Sequence, residues 1–141
     1  MFKIGLDNGI ILHSKNMIKT AKRPECVTSL GVDDVNGVPM WDYEICYWRK
    51  CWNIRREVAH IIDAPLDYVA KHNLNIYEVK NIWRAIYDLN SPRAWDERES
   101  IWTYEEITDN LNRALEALEW LIQFMREHKD DEYSVEFYDS Y

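Results

Sequence analysis

The chain has 141 residues, of which 47% are hydrophobic and 13% aromatic, and its formal net charge is −8. This length and composition are typical of one folded domain over residues 1–141 and argue against a wholly disordered chain. They also argue against a membrane-spanning helix, because no apolar run approaches the ~20 residues that a span needs. The start of the chain lacks a secretory signal pattern, and three cysteines without framework spacing suit a reducing compartment. We therefore expect a cytoplasmic protein.

The negative charge lies in the second half of the chain. Residues 1–70 hold nine Lys/Arg and nine Asp/Glu, whereas residues 71–141 hold eight and sixteen. Between residues 96 and 139 there are fourteen acidic and four basic residues. Such an asymmetry repels nucleic acid and membranes and attracts basic partners. We therefore expect a partner with a basic surface, no membrane contact and no direct binding of nucleic acid. The alternative is a solvated face that only keeps the protein soluble.

In chain order, the first predicted element is a hairpin. Residues 2–4 and 9–14 would form its strands, and the Asp-Asn-Gly sequence at 7–9 would supply residues that tolerate positive φ. Residues 15–40 hold much of the glycine and proline of the chain, which predicts an irregular connection.

Amphipathic helices are predicted next. The first covers residues 41–62 and ends before Pro65, which disfavours helical geometry in the residue preceding it. The second begins after Asn75, whose N-cap position and spacing to Glu78 match a capping box, and it reaches about residue 90.

A third helix and a final strand complete the predicted fold. Thr103 and Glu106 again have capping-box spacing, and the helix runs to about residue 129. Tyr133, Val135 and Phe137 then alternate as in a half-buried strand. The predicted class is α+β, with a three-helix core and a small antiparallel sheet formed by the N-terminal hairpin and the C-terminal strand.

The segment "YWRKCWNIRR" at 47–56 concentrates basic residues and tryptophans in an acidic chain. On a helical wheel the tryptophans share the apolar face, whereas Arg49 and Arg56 lie opposite and Lys50 lies at the far edge. Readers of single-stranded nucleic acid need stacking and basic side chains on one exposed surface. The segment therefore predicts a core helix, and nucleic-acid binding through Arg49, Lys50 and Arg56 is an alternative.

Two charged residues fall within the apolar face of this predicted helix. Glu44 and Arg55 are eleven positions apart, too far along a helix to pair with each other. Each needs a partner elsewhere, because an unpaired buried charge is strongly unfavourable. They are interpreted either as two structural ion pairs to neighbouring helices or as the lining of a ligand pocket. In the second case Arg55 would offer a fork to a carboxylate or phosphate.

The third predicted helix has an apolar seam and an acidic opposite face. Trp120 falls on the acidic face, and an aromatic residue in such a setting is typical of a hot spot for a basic partner. The alternative is a tryptophan covered by the C-terminal strand or by residues 91–102. The predicted partner-binding residues are Glu116, Trp120, Glu127, Asp130, Asp131 and Glu132.

Motifs for catalysis and metal binding are not found in the sequence. Cys46 and Cys51 are five positions apart, which separates them by about 140° on a helix. The histidines do not have the spacing of a metal-binding helix, and no glycine-rich phosphate loop or nucleophile elbow occurs. We expect no cofactor, no metal ion and no catalytic residue, although a Cys/His/Asp site assembled in space is compatible with such a sequence.

Two stretches carry a resemblance to known proteins, "GLDNGI" at 5–10 and "YEICYWRKCWNIR" at 43–55. Together they cover about a seventh of the chain and resemble small uncharacterised bacteriophage and prophage proteins. Those proteins have an N-terminal Gly-Leu-Asp segment and a Tyr-Trp-Arg-Lys helix. In most of them the glycine directly follows the initiator methionine, whereas Phe-Lys-Ile intervenes here. The resemblance implies a phage or prophage origin and a host-cell cytoplasmic location.

The resemblance and the acidic second half lead to one functional hypothesis and two alternatives. The protein is predicted to bind and inhibit a host protein, such as a nucleic-acid-handling defence nuclease, by anti-CRISPR-like mimicry of nucleic acid. One alternative is a small-molecule-binding protein or enzyme with a site around Arg55 and Glu44. The other is nucleic-acid binding through the basic run.

Overall fold

The computed structural model describes residues 7–35, 37–49, 51–63, 69–89, 104–128 and 132–140. Within these ranges the chain forms five strands, three α-helices and a short 3-10 helix at Thr20–Lys22. The α+β class predicted from the sequence is confirmed. The strands and helices are β1 (Asp7–Ser14), β2 (Thr28–Val35), β3 (Val38–Arg49), α1 (Trp52–Ile62), β4 (Val69–Asn73), α2 (Ile76–Leu89), α3 (Tyr104–Glu127) and β5 (Tyr133–Ser140).

The strands form one sheet in the order β2-β3-β1-β5-β4, with every neighbouring pair antiparallel. Alternate residues of each strand point to opposite faces, and one face is buried against the helices. On β1 this face carries Ile10 and Leu12, and on β5 it carries Val135 and Phe137. The predicted pairing of the C-terminal strand with the N-terminal strand is confirmed, and it places β1 at the centre of the sheet.

The helix predicted for residues 41–62 is wrong over its first part, because residues 41–49 belong to β3. The physical reason is a bulge: Ile10 pairs with Cys46 and Ile11 with Glu44, which leaves Ile45 without a partner on β1. The extra residue breaks the alternation, so that both Ile45 and Cys46 are buried. Burial of adjacent positions resembles the broad apolar face of a helix. The Tyr-Trp-Arg part of the supposed helix therefore ends a strand.

The predicted hairpin turn at 7–9 is also wrong, since Asp7, Asn8 and Gly9 lie within β1 and pair with both β3 and β5. Residues 2–4 lie outside the described part of the chain. Gly9 is required by a close approach, because an added Cβ would lie 2.5 Å from the Tyr138 ring on β5.

The connection predicted as irregular between residues 15 and 40 contains more regular structure than its composition indicates. It holds the 3-10 helix, all of β2 and the start of β3. Gly37 supports the tight turn between these strands with a φ of +81°. The glycine signal was therefore correct for a turn, but the flanking strands were missed.

The helices follow their local signals more closely. α1 ends at Ile62, as the following proline predicts, and Asp63 adopts a left-handed conformation there. At α2 the capping box is present in both directions: the Asn75 amide donates to Glu78 Oε1 at 2.9 Å, and the Glu78 amide donates to Asn75 Oδ1 at 2.8 Å. Thr103, the predicted cap of α3, lies outside the described residues.

The apolar seam of α3 is buried against the sheet and α2. The sequence predicts a seam of Tyr104, Ile107, Leu111, Ala114, Leu115, Leu118, Ile122 and Met125, and of these Leu111, Ala114, Leu118 and Met125 are buried. The side chains of Tyr104 and Ile107 lie outside the description. Among the described residues, no helix is both long and apolar enough to cross a bilayer.

Candidate functional site

The basic run is divided between a strand and a helix. Trp48 is fully buried, whereas Arg49, the next residue on β3, is exposed on the opposite face of the sheet. Arg56 is exposed on α1 and donates to Asn53 Oδ1. Lys50 and the side chain of Trp52 lie outside the described part. Trp48 is thus a core residue and does not share an exposed surface with Arg49 or Arg56.

Arg55 points inward, as predicted, but its partner is on a strand and not on a helix. Its Nε and Nη2 atoms donate to the Asp139 carboxylate of β5 at 3.0–3.1 Å, which is a fork geometry. Asp139 is completely buried and also accepts a hydrogen bond from Asn8 Nδ2. This arrangement is a structural ion pair that ties α1 to β5 and, through Asn8, to the central strand β1.

Glu44 lies away from this pair, so the structure does not bring Glu44 and Arg55 together. Glu44 lines a cavity of about 270 Å³ between α3, β3 and residues 25–28. The residues of α3 that line it include Asn110 and Arg113. Burial raises the pKa of the Glu44 carboxyl above its ordinary value. A pocket beside Glu44 is therefore present, and its basic residue is Arg113 instead of Arg55.

The exposed side of α3 forms an acidic surface. The helix carries six Asp/Glu and two Arg, a net of −4 over 24 residues. At 100° per residue, Glu105, Asp109, Glu116 and Glu127 fall within about 40° of one line along the helix, and all four are exposed. Glu132 is also exposed and its carboxylate lies 3.3 Å from Lys15 Nζ. Asp130 and Asp131 lie outside the described residues. We call the exposed side of Tyr104–Glu127 the acidic α3 surface.

Trp120 is half-buried beside this surface, and in the described structure it is in contact with the chain around Lys22; residues 91–102 lie outside the described part. Its indole Nε1 donates to the Lys22 carbonyl at 2.9 Å, and its ring stacks on Phe124 with centroids 5.4 Å apart. The chain between β1 and β2 thus packs against the end of α3. Between them lies a groove of about 600 Å³, whose lining includes the apolar Met17, Ile18, Trp120 and Phe124 and the charged Lys19, Lys22 and Glu127.

Sequence reasoning missed a polar cluster on the sheet face opposite the helices. His13 Nδ1 lies 2.6 Å from Asp42 Oδ1, and His13 Nε2 lies 3.8 Å from Glu136 Oε1. The three residues come from β1, β3 and β5, so no spacing along the chain indicates them. Because the second ring nitrogen faces a carboxylate instead of a hydroxyl or thiol, the cluster lacks the arrangement of a nucleophilic triad. It cross-links three strands.

Tyrosines extend this polar face toward the other end of β1. The Tyr47 hydroxyl donates to Asp7 Oδ1 at 2.9 Å. Tyr138 lies over Gly9, and its burial, together with the nearby charge of Glu44, raises its pKa well above the ordinary value. Among the described residues, no group of three or more His, Cys, Asp or Glu side chains is placed to hold a metal ion.

Comparisons with protein-family models, curated proteins and solved structures find no match to this chain.

Proposed function

We propose that the protein is an acidic inhibitor of a host protein, and that it occupies a basic surface which otherwise holds nucleic acid. The observation that carries this proposal is the acidic α3 surface, where exposed carboxylates follow one line along the helix. The resemblance to phage proteins supports the host-cell cytoplasm as the setting and an anti-CRISPR-like block of a defence nuclease as the specific form. The complex is held by a protein–protein contact, without a cofactor.

The dimensions of α3 support mimicry of nucleic acid. At ~1.5 Å per residue, the helix is ~36 Å long. One turn of duplex DNA spans ~34–36 Å, so α3 presents its charges over a comparable distance. Carboxylates in this arrangement steer a basic surface toward the helix, and the attraction weakens as salt rises.

The groove beside the acidic α3 surface offers apolar contacts, which contribute affinity that exposed charges alone do not provide. Rim charges contribute mainly to the rate of association, whereas buried aromatic contacts contribute most of the affinity at protein interfaces. Trp120 is held in one orientation by its hydrogen bond to the Lys22 carbonyl, so little side-chain entropy is lost when a partner contacts it. An apolar side chain of the partner would contact Met17, Trp120 and Phe124 in the groove lining.

The test is capture of a partner from a bacterial lysate by the immobilised protein, followed by competition with nucleic acid. The matched variants are Glu116→Lys/Glu127→Lys on α3 and Asp33→Lys/Asp34→Lys on β2, since all four residues are exposed and the two changes in charge are equal. We expect the β2 variant to retain the partner, the α3 variant to lose it, and nucleic acid to displace it. Equal retention by both variants, or no displacement by nucleic acid, would refute the proposal.

A further inference from the structure

The groove between the end of α3 and the chain that follows β1 has the size of a small-molecule site. Its volume of about 600 Å³ lies within the ~300–1,000 Å³ of pockets that hold drug-sized ligands. A direct contact joins its two walls, because Trp120 Nε1 donates to the Lys22 carbonyl at 2.9 Å. This hydrogen bond holds the segment Thr20–Lys22 beside α3, about two helical turns before the helix ends at Glu127.

Flat and apolar side chains form much of the lining. Three rings stack in a row at the end of α3, with centroids 5.4 Å apart between Trp120 and Phe124 and 4.3 Å apart between Phe124 and His128. Met17 lines the groove from the other wall and is 57% exposed. Aromatic rings and thioethers both make favourable contacts with an aromatic ring. This lining therefore favours a planar aromatic ligand.

Positive charge lines the same groove, although the chain as a whole is acidic. Lys19 and Lys22 are exposed, and neither makes an ion pair within the described residues. Glu127 also lines the groove, but its carboxylate already accepts a hydrogen bond from Gln123 Nε2 at 2.8 Å. The ammonium groups of the two lysines carry donors and no acceptor, so an anionic group is complementary to them.

The direction of α3 indicates where the anionic group would lie. The carbonyl groups at the C-terminal end of a helix carry partial negative charge, so an anion is disfavoured beside Glu127. Lys19 and Lys22 belong to the other wall, and each carries its charge on a flexible four-carbon stem. A ligand ring can therefore contact Trp120 and Met17 while its charge lies toward the lysines.

We propose that this groove binds a small ligand made of a planar aromatic ring and an anionic group, either a carboxylate or a phosphate. The ring contacts Met17 and Trp120, and the anionic group accepts hydrogen bonds from the Lys19 and Lys22 ammonium groups. A cationic aromatic compound would place like charge beside the lysines. An aliphatic anion would make no ring contact with the aromatic wall.

This ligand site does not rest on the proposed function, because it requires no protein partner. Its tests use the protein alone, so their failure leaves the proposed function unaffected, and failure to capture a partner leaves the ligand site unaffected. Where both exist, ligand and partner compete, since both contact Trp120.

Three probes with the same ring test the inference: naphthalene-2-carboxylate, 2-naphthyl phosphate and the neutral naphthalene-2-carboxamide. Binding is followed by NMR at the indole N–H of Trp120, whose signal is identified by its loss in Trp120→Phe. We expect saturable shifts with both anions, and the carboxamide should bind at least about threefold more weakly because it lacks the charge. The tighter anion identifies the anionic group of the natural ligand. Carboxamide binding as tight as that of both anions, or no saturable shift with any probe, would overturn the proposal.

Variants separate the contribution of charge from that of the ring. Lys19→Gln/Lys22→Gln should weaken the binding of both anions to the level of the carboxamide and leave the carboxamide unchanged. Lys71→Gln/Arg84→Gln removes two exposed cations outside the groove, with the same change in net charge, and should leave all probes unchanged. Met17→Ser should weaken all three probes by a similar factor, because a ring contact is lost. The substituted side chains are at the surface, and thermal midpoints check that each variant is folded. Equal effects of the two double variants, or unchanged binding by Met17→Ser, would contradict the proposed contacts.

Discussion

Replacing Arg55 by alanine should destabilise the fold strongly, because it removes the counter-charge of a completely buried carboxylate. Asp139 is 0% exposed, and without Arg55 the partner that remains to it in the described structure is Asn8 Nδ2. Removing one member of a buried ion pair costs ~3–5 kcal/mol. Domains of this size have total stabilities of ~5–15 kcal/mol, so the loss is a large fraction. At roughly 4 °C per kcal/mol, the thermal midpoint should fall by ~10–20 °C.

Circular dichroism melting and urea denaturation would measure this loss. Arg49→Ala and Arg56→Ala are the controls, because both side chains are exposed, and exposed pairs contribute only ~0–1 kcal/mol. Adding Asp139→Asn to Arg55→Ala should restore part of the lost stability, since the neutral amide no longer needs a counter-charge. The reasoning is refuted if all three arginine variants lose similar, small amounts, or if Asp139→Asn brings no recovery.

Three further predictions concern the core, pH and nucleic acid. Trp48→Ala should cost ~3–5 kcal/mol, because the side chain is fully buried, and an unchanged urea midpoint would contradict its place in the core. Glu44→Gln should raise the thermal midpoint at pH 7, because the folded state disfavours the ionised carboxylate and raises its pKa. This gain should vanish as the pH falls below the unfolded pKa of ~4.3, and a constant gain at all pH values would exclude titration of Glu44 as its cause. Fluorescence polarisation at ~0.15 M salt should detect no binding of DNA or RNA, because the net charge of −8 opposes the phosphate attraction, and micromolar binding would contradict this.

Local signals in the sequence predicted the parts of the fold that depend on neighbouring residues. The Asn75–Glu78 capping box and the end of α1 before Pro65 are examples, because their hydrogen bonds and steric limits lie within a few positions. The strand at residues 41–49 was missed because the bulge at Ile45 is defined by pairing with β1, which periodicity within one segment does not reveal. β4 was missed as well, since its pairing partner β5 lies more than sixty residues away.

At the candidate sites, too, local sequence signals were informative, whereas contacts with residues distant in the chain were not predicted. The position of Arg55 within an apolar pattern indicated that its side chain points into the protein. Its partner Asp139 was not predicted, because it lies 84 positions away in the chain. For Glu44 no ion pair is found in the described structure, and the cavity that it lines is completed by α3, which periodicity around residue 44 does not reveal. The contact of Trp120 with the chain around Lys22 was not predicted, because a helical wheel of α3 does not include that chain.

The most direct test of the acidic α3 surface as a binding site is the rate of association with a captured and purified partner at two salt concentrations. We predict that higher salt slows association of the wild-type protein and that Glu116→Lys/Glu127→Lys slows it further at low salt. Asp33→Lys/Asp34→Lys, with the same change in net charge, should leave the rate nearly unchanged. We expect the α3 and β2 variants to differ because exposed charges more than ~10 Å apart are largely screened. Only charges at the binding surface then attract the partner during association. If the two variants associate at the same rate, the acidic α3 surface does not direct binding and the mimicry of nucleic acid is contradicted.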